Sequence, residues 1–388
     1  MNRARCYLKV LSLALALAAP LSKAEDSVVV QIGFSGPLSG MSEAYGRSLF
    51  HAAQLAVDQA NSPANAPLNV IDGKSVRFVL AALDDKQDMN MSILVAKYFV
   101  QSGVVGVIGN TNTTNSLATS AIFDEAHLAH ISPASSGRNY TRMGHRSAFR
   151  VVGHDEQAIY SLVPYLLGDM HAKKIAIISN ETLFGMGISG KFEKALQDFQ
   201  KPAFMRENIS GRTYDFNAVL DHIQEAGVDY LFFGGNAEQA AMLARSMQRK
   251  GVTARLISAM AGTAGDNFLK VAGTASEGVI ALEYGVPPDK MTGWKKFYSS
   301  FNTAYADGIN PFTVCSYDAT NLLIEAVREA NSTDRKKIVE QLHNIKYKGV
   351  SGNISFDETG DLLSPTFTVY QVSNLKWQPI KVLQTSKH

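Results

Sequence analysis

Cysteine is almost missing from this chain: 388 residues carry two, Cys6 and Cys315. Cys6 falls in an N-terminal segment expected to be removed, which leaves Cys315 alone and excludes an intrachain disulfide. The core must therefore hold the fold without covalent staples. With 46% hydrophobic residues and enough length for two domains of ordinary size, it can. An excess of one charge is missing too. Lys+Arg number 37 against 35 Asp+Glu, a balance that excludes the electrostatic footprint of a nucleic-acid or anionic-membrane binder. Past residue 24 no apolar run reaches the length of a membrane span, and no low-complexity segment occurs.

Catalytic signatures are also lacking. The chain has no Walker A motif and no dinucleotide fingerprint. "GFSG" (33–36) and "GISG" (187–190) leave G-x-S-x-G incomplete, so an exported hydrolase would lack its nucleophile elbow. His127 and His130 in "HLAH" have helical spacing, but nothing nearby completes a metal-ligand set. His145 and His154 are expected on the surface beside a domain crossing. Neither an enzyme nor a cofactor nor a metal site is expected.

What is present begins with a targeting segment. Arg3, Arg5 and Lys9 precede an apolar stretch from Val10 to Ala19, and Ser22-Lys23-Ala24 follows as a small-x-small cleavage site. This is the layout of a secretory signal peptide over 1–24, cut after Ala24, with an uncleaved anchor as the alternative. Cys6 precedes the apolar run, so it is not the modified cysteine of a lipoprotein. Losing four basic residues and no acidic ones turns the formal net charge from +2 to −2.

From Val28 onward short apolar runs alternate with longer amphipathic ones. The runs are 28–34, 76–83, 104–109, 128–132, 174–179, 228–235 and 254–258. Helical spacing fills 44–61, 89–102, 116–126, 156–167, 189–199, 216–226 and 237–250. Continuous apolar strands separated by helices predict parallel sheets covered on both faces, a doubly wound α/β fold. One series breaks near 147–157, where a second begins. After Glu283 come three helical stretches (293–306, 316–331 and 335–344) and then strand-like segments to the end. Nearly every strand ends in small or polar residues, and in such sheets the ligand crevice lies outside the carboxyl ends of the strands.

The densest of these ends is "VIGNTNTTNSLATSAI" (107–122), with seven polar residues in a row from Asn110 to Ser116. Asn110 and Thr111 are expected to turn the chain and Asn115 or Ser116 to start a helix. The first N–H groups of that helix lack intrahelical acceptors, and its dipole favours negative charge. Asn112, Thr113 and Thr114 add donors, and Ser135 and Ser136 approach from the next strand end. Together they predict a carboxylate site built without lysine. Asp84 and Asp85 are expected to order the end of their strand.

Motifs along nearly the whole chain carry a resemblance. They include "IGFSGPLSG…AYG" (32–46), "LAVDQAN" (55–61), "VVGVIGN" (104–110), "ISPASSG" (131–137), "FRVVGHDEQ" (149–157), "DYLFFGG" (229–235), "SYDA" (316–319) and "ISFDETGD" (354–361). In these the sequence resembles the type I periplasmic solute-binding proteins of the branched-chain amino-acid (Leu/Ile/Val)-binding family, extracytoplasmic receptors of ABC importers. The resemblance implies two doubly wound parallel-sheet lobes joined by three crossover segments, near Phe149, Glu283 and Thr368. The lobes would be 25–149 plus 284–367 and 150–283 plus 368–388, closing over the ligand by a hinge motion.

Residue by residue, the resemblance implies that Thr113 and the turn Ala134–Ser136 hold a ligand carboxylate, that Tyr45 flanks the ligand, and that Phe184 before Gly185 faces it from the second lobe. Two positions depart. Met260 stands where the family's amino-acid binders have a carboxylate for the ligand ammonium, and Asn236 stands where an aromatic is common. A frequent cysteine pair is absent from Gln87 and Asn112. Asp266 and Glu283 are the other carboxylates offered nearby. The expected ligand is thus a carboxylate with an apolar or aromatic body, an amino acid or an amine-free acid. The expected partner is an inner-membrane ABC permease, with the protein a monomer in the periplasm. The same fold would serve a periplasmic sensor feeding a membrane receptor kinase or chemoreceptor.

Overall fold

The computed structural model describes residues 27–384, so the signal segment expected over 1–24 lies outside the described residues. Two sheets carry the chain. The first contains β1 (Val28–Gly36), β2 (Val70–Ile71), β3 (Lys74–Asp84), β4 (Gly106–Ile108), β5 (Ala129–Ser132) and β6 (Ala148–Arg150), in the order β2-β3-β1-β4-β5-β6. All its neighbours are parallel except the short β2–β3 pair. The second contains β7 (Ile175–Asn180), β8 (Met205–Ile209), β9 (Tyr230–Gly234), β10 (Arg255–Ala259) and β11 (Ile280–Tyr284), all parallel. A two-stranded ribbon, β12 (Tyr347–Lys348) and β13 (Asn353–Ile354), stands apart. The final pair, β14 (Thr366–Ser373) and β15 (Lys376–Gln384), then joins the second sheet antiparallel at its β11 edge.

The helices follow from the amphipathic stretches. They are α1 (Glu43–Ala60), α2 (Met89–Gln101), α3 (Thr113–Glu125), α4 (Asn139–Arg142), α5 (Asp155–Gly168), α6 (Leu183–Asp198), α7 (Asn217–Ala226), α8 (Ala237–Lys250), α9 (Asp266–Ala272), α10 (Trp294–Ala304), α11 (Pro311–Glu329) and α12 (Arg335–Asn344). Three of them, α3, α6 and α11, start several residues earlier than their apolar spacing predicts. Thr182 caps α6 by accepting from Gly185 N at 2.9 Å, but Gly185, Gly187 and Gly190 dilute its first turns, and glycine is a weak helix former. Asn112, rather than Asn115 or Ser116, caps α3 by accepting from Asn115 N at 2.9 Å. His154, expected on the surface, is buried and caps α5 in a reciprocal capping box with Gln157.

Register brings the polar strand ends together. Gly36 sits opposite Asp84, and Phe34 opposite Ile108. Asp84 accepts from Leu38 N at 2.8 Å and Ser39 Oγ at 2.5 Å, tying the loop after β1 to the end of β3. Asp85 is buried and accepts from Ser35 Oγ at 3.1 Å and Asn110 Nδ2 at 3.0 Å. Both acids therefore order strand ends. On the outer face α1 and α11 lie side by side, joined by Ser48 Oγ and Thr313 Oγ1 at 2.7 Å. Cys315 of α11 is buried, with its Sγ 3.5 Å from Pro311 O.

The chain leaves the first sheet after Arg150, leaves the parallel strands of the second after Tyr284, and returns to that sheet at Thr366. Phe149, Glu283 and Thr368 thus lie within β6, β11 and β14, with Glu283 paired to Thr368. Arg150 is fully buried at the first of these exits. Its guanidinium pairs with Asp361 Oδ1 at 2.7 Å and donates to Ser135 O and Gly137 O, each at 2.9 Å. It also donates to Thr141 Oγ1 at 2.6 Å. Glu283 is equally buried and accepts from Gly262 N at 3.1 Å, Thr263 N at 2.6 Å and Ala264 N at 3.4 Å. Burial pushes its carboxyl up to about 7 against those three donors.

Two outcomes follow. Arg150→Met leaves Asp361 with Arg142 at 3.1 Å but strips the buried Ser135 and Gly137 carbonyls of their donor, and should cost about 1–3 kcal/mol for each carbonyl left unpaired, read by chemical denaturation. Glu283 has a raised folded pKa, so its contribution to stability is full below the unfolded value near 4.5 and is lost as pH rises through about 7. Glu283→Gln should therefore gain on the wild type by about 3 kcal/mol between pH 4.5 and 8, followed by thermal unfolding across pH.

Candidate functional site

Between the carboxyl ends of the two sheets lies a cleft with about 410 Å³ of atom-free space. The first sheet's side contributes Tyr45, Gln87, Thr111, Asn112, Thr113, Ala134 and Phe312, and the second contributes Phe184, Asn236, Glu238, Met260 and Ala261. Seven of the residues expected from sequence are brought together here: Tyr45, Asn112, Thr113, Ala134, Phe184, Asn236 and Met260. Thr114, Ser135 and Ser136 are not in the lining. The hydroxyl of Ser135 is taken by Ser116 Oγ at 2.7 Å. Thr114 is the second residue of α3 and half-buried beside the lining Thr113. Ser136 is buried next to Asp155, whose N–H donates to Ser136 O at 2.8 Å, and its Oγ has no partner among the described residues.

The wall formed by α3 is rich in donors. Thr113 and Thr114 are the first two residues of the helix, so their N–H groups have no acceptor within it. Thr113 Oγ1 accepts from Gly137 N at 3.1 Å, which leaves its own proton to donate. This close approach requires glycine, because a Cβ at residue 137 would stand 2.3 Å from Thr113 Cγ2. Thr111 Oγ1 and Asn112 Nδ2 are buried without partners among the described residues. Tyr45 OH donates to Thr111 O at 3.0 Å, and its ring meets Phe312 edge-on with centroids 6.4 Å apart. Burial above all, then the charges of Glu238 and Glu283, holds the Tyr45 phenol protonated.

The opposite wall is mostly apolar. Met260 follows β10 in left-handed backbone, φ 57°, with its N–H on Leu282 O at 2.7 Å. Across the cleft, on the first sheet's side, Gln87 is left-handed too, φ 56°, and its Oε1 accepts from Ser42 Oγ at 2.7 Å. Asn236, expected to meet the ligand, also serves the fold, because its Oδ1 caps α8 by accepting from Gln239 N at 2.8 Å. Neither acid offered from sequence as an ammonium partner reaches the cleft. Glu283 is committed to the 262–264 backbone, and Asp266 is exposed at the start of α9.

Sequence reasoning missed Gln87, Thr111, Glu238, Ala261 and Phe312 as lining residues. Glu238 falls within the helical stretch 237–250 and carried no expectation of its own, and Phe312 lay ahead of the helical spacing recognised from Ser316. Asn310 and Pro311, a cap and an N1 proline, were the available signal for that earlier start. Glu238 is half-buried, and burial raises its pKa. It is the one formally charged group of the lining, which contains no Lys, Arg or His. Among the described residues no group of three or more metal-ligating side chains forms, and no helix is long and apolar enough to cross a membrane.

A family model for periplasmic binding proteins matches residues 29–376. The Leu/Ile/Val-binding protein homolog 1 of Brucella suis is 28% identical over 352 residues, 90% of each chain. Branched-chain amino acid transporter substrate-binding protein LivJ of Streptococcus pneumoniae, solved with isoleucine, matches with a TM-score of 0.82 at 21% identity over 92% of this chain and 99% of that one. A solute-binding protein of an ABC transporter from R. palustris, solved with benzoate, matches with a TM-score of 0.82 at 16% identity over 93% and 98%. Both structural likenesses are likenesses of fold, and these relatives are binding proteins rather than enzymes. With a family model spanning nearly all of the described residues, the chain belongs to the periplasmic binding protein family.

Proposed function

We propose that this protein is the extracytoplasmic solute-binding component of an ABC importer and that it encloses a small carboxylate-bearing ligand in the cleft. The observation that carries this reading is the donor-rich start of α3. Two unpaired helix N–H groups, the Thr113 hydroxyl, and the orphaned Thr111 Oγ1 and Asn112 Nδ2 converge there with no basic side chain. Such donors suit a carboxylate, and each hydrogen bond to a charged group contributes roughly 1.5–3 kcal/mol. In this reading Ser136, buried two residues beyond the lining Ala134, supports the carboxylate from behind the lining. Tyr45, Phe184, Met260 and Phe312 enclose the rest of the ligand.

The lobes in this reading are 25–149 plus 284–367 and 150–283 plus 368–388. Sheet membership supports the division, since β1–β5 fall wholly in the first and β7–β10 in the second, with β6 and β11 at the crossings. Ligand occupancy would close them about the segments after Arg150, after Tyr284 and before Thr366. The exported chain, cut after Ala24, would work in the periplasm as a monomer and deliver its ligand to an inner-membrane permease. The related proteins solved with isoleucine and with benzoate support both an amino acid and an aromatic carboxylate as ligand classes.

A thermal-shift screen of residues 25–388 against amino acids and amine-free carboxylates tests the reading. A ligand at about a hundred times its Kd should stabilise by roughly 2.7 kcal/mol. Thr113→Val with Ser136→Ala should abolish the shift while the free protein stays folded by circular dichroism. Full binding by that double variant would move the carboxylate site elsewhere.

A further inference from the structure

Asp266 stands outside the cleft but has partners of its own. Its N–H donates to Ile309 O at 3.2 Å, and its Oδ2 accepts from Ile309 N at 3.4 Å. The two residues thus exchange hydrogen bonds between the start of α9 and the segment leading into α11, which the proposed division assigns to opposite lobes. Gly265 lies so close to Asn310 that a Cβ there would stand 2.8 Å from the Asn310 Cβ. At Gly308 a Cβ would stand 3.2 Å from the Asp266 Cβ. The contact is a fitted one, made where two residues carry no side chain.

Each half of the contact is anchored in its own lobe. On the second lobe's side, Glu283 holds the N–H groups of residues 262–264, and Trp377 Nε1 of β15 donates to Gly265 O at 3.3 Å. On the first lobe's side, Asp307 is buried, accepts from Arg47 of α1 at 2.8 and 2.9 Å, and pairs with His51 of the same helix. Asn310 caps α11, its Oδ1 accepting from Phe312 N at 2.9 Å. Both halves lead into the cleft, the first through Met260 and Ala261 and the second through Phe312. Because the two arms move with different lobes, opening the cleft must break their pairing. The pairing therefore favours the closed form by its own free energy.

We propose that Asp266 and Ile309, with Gly265 and Gly308 admitting the close approach, form a latch that sets how long a ligand stays enclosed, although none of the four lines the cavity. This rests on the reading of the cleft as a two-lobed ligand site. Isoleucine and benzoate are the probes, with stopped-flow kinetics on the full mature chain. Asp266→Ala removes one of the two hydrogen bonds and should speed dissociation of a bound probe roughly threefold to tenfold, with association and the unfolding temperature unchanged. Asp266→Asn keeps an acceptor and should restore the wild-type rate. Asp266→Cys with Gly308→Cys comes close to disulfide spacing, and Cys315 is too buried to compete. Oxidation of that pair should trap a probe already bound and bar one added later. Unchanged dissociation in Asp266→Ala, or free exchange through the cross-linked protein, would overturn the latch and leave the ligand site standing. If neither probe binds, those two ligand classes fall and cross-linking alone decides. A bridge that forms in the ligand-free chain then supports the latch, and its failure to form overturns it.

Discussion

Asn110 uses every hydrogen-bonding group it has, and the cleft is assembled around it. Its N–H donates to His130 Nε2 at 2.9 Å, and its amide nitrogen donates to Ser35 Oγ at 2.8 Å and Asp85 Oδ2 at 3.0 Å. Its side-chain oxygen accepts from Thr119 at 2.8 Å and its carbonyl from Ser132 Oγ at 2.7 Å. These partners come from the ends of β1, β3 and β5, from the first residues of β5, and from α3. One buried residue thereby fixes the relative height of four strand ends. In a low-dielectric interior each of these bonds is strong, and Asn110 itself has none left unmade. Burial depresses the His130 pKa to about 3, so the ring stays neutral and keeps an acceptor for the Asn110 N–H.

The polar run after β4 therefore divides its work finely. Asn110 is scaffold, Asn112 is cap, and Ser116 is occupied by the Ser135 hydroxyl. Thr111 and Thr113, with the amide nitrogen of Asn112, line the cleft, and Thr111 Oγ1 and Asn112 Nδ2 have no partner among the described residues. The neighbouring turn is held from behind, because Arg150 draws the carbonyls of Ser135 and Gly137 toward its guanidinium. Hydrogen-bonded and unpartnered groups alternate along one strand end.

That alternation explains what could be read in advance. Apolar runs separated by amphipathic stretches fix strand and helix identity through burial, so the doubly wound pattern was legible. The polar strand ends pointed to the correct side of the sheets for the cleft. Hydrogen-bond partners, by contrast, depend on contacts between residues far apart in sequence. Ser135 and Thr113 have the same chemistry in the sequence, yet one hydroxyl is spent on Ser116 and the other lines the cavity. Glu283 looked available and is enclosed by its own loop. Glu238 drew no expectation from the sequence, because nothing local says that a first-turn acid will line a cavity. The sheet ends were a matter of pattern, and the charged lining was a matter of packing.

The solitary thiol has a consequence for the life of the chain. Cys315 is buried in α11, and its pKa is raised well above the ordinary value, chiefly by burial. Thiolate is the species that attacks disulfides, so the folded protein offers neither the nucleophile nor the access for exchange. With no second cysteine among the described residues, the folding chain has no crossing of bridges to sort out. Among the described residues, no contact that holds the fold depends on the redox poise of the surroundings.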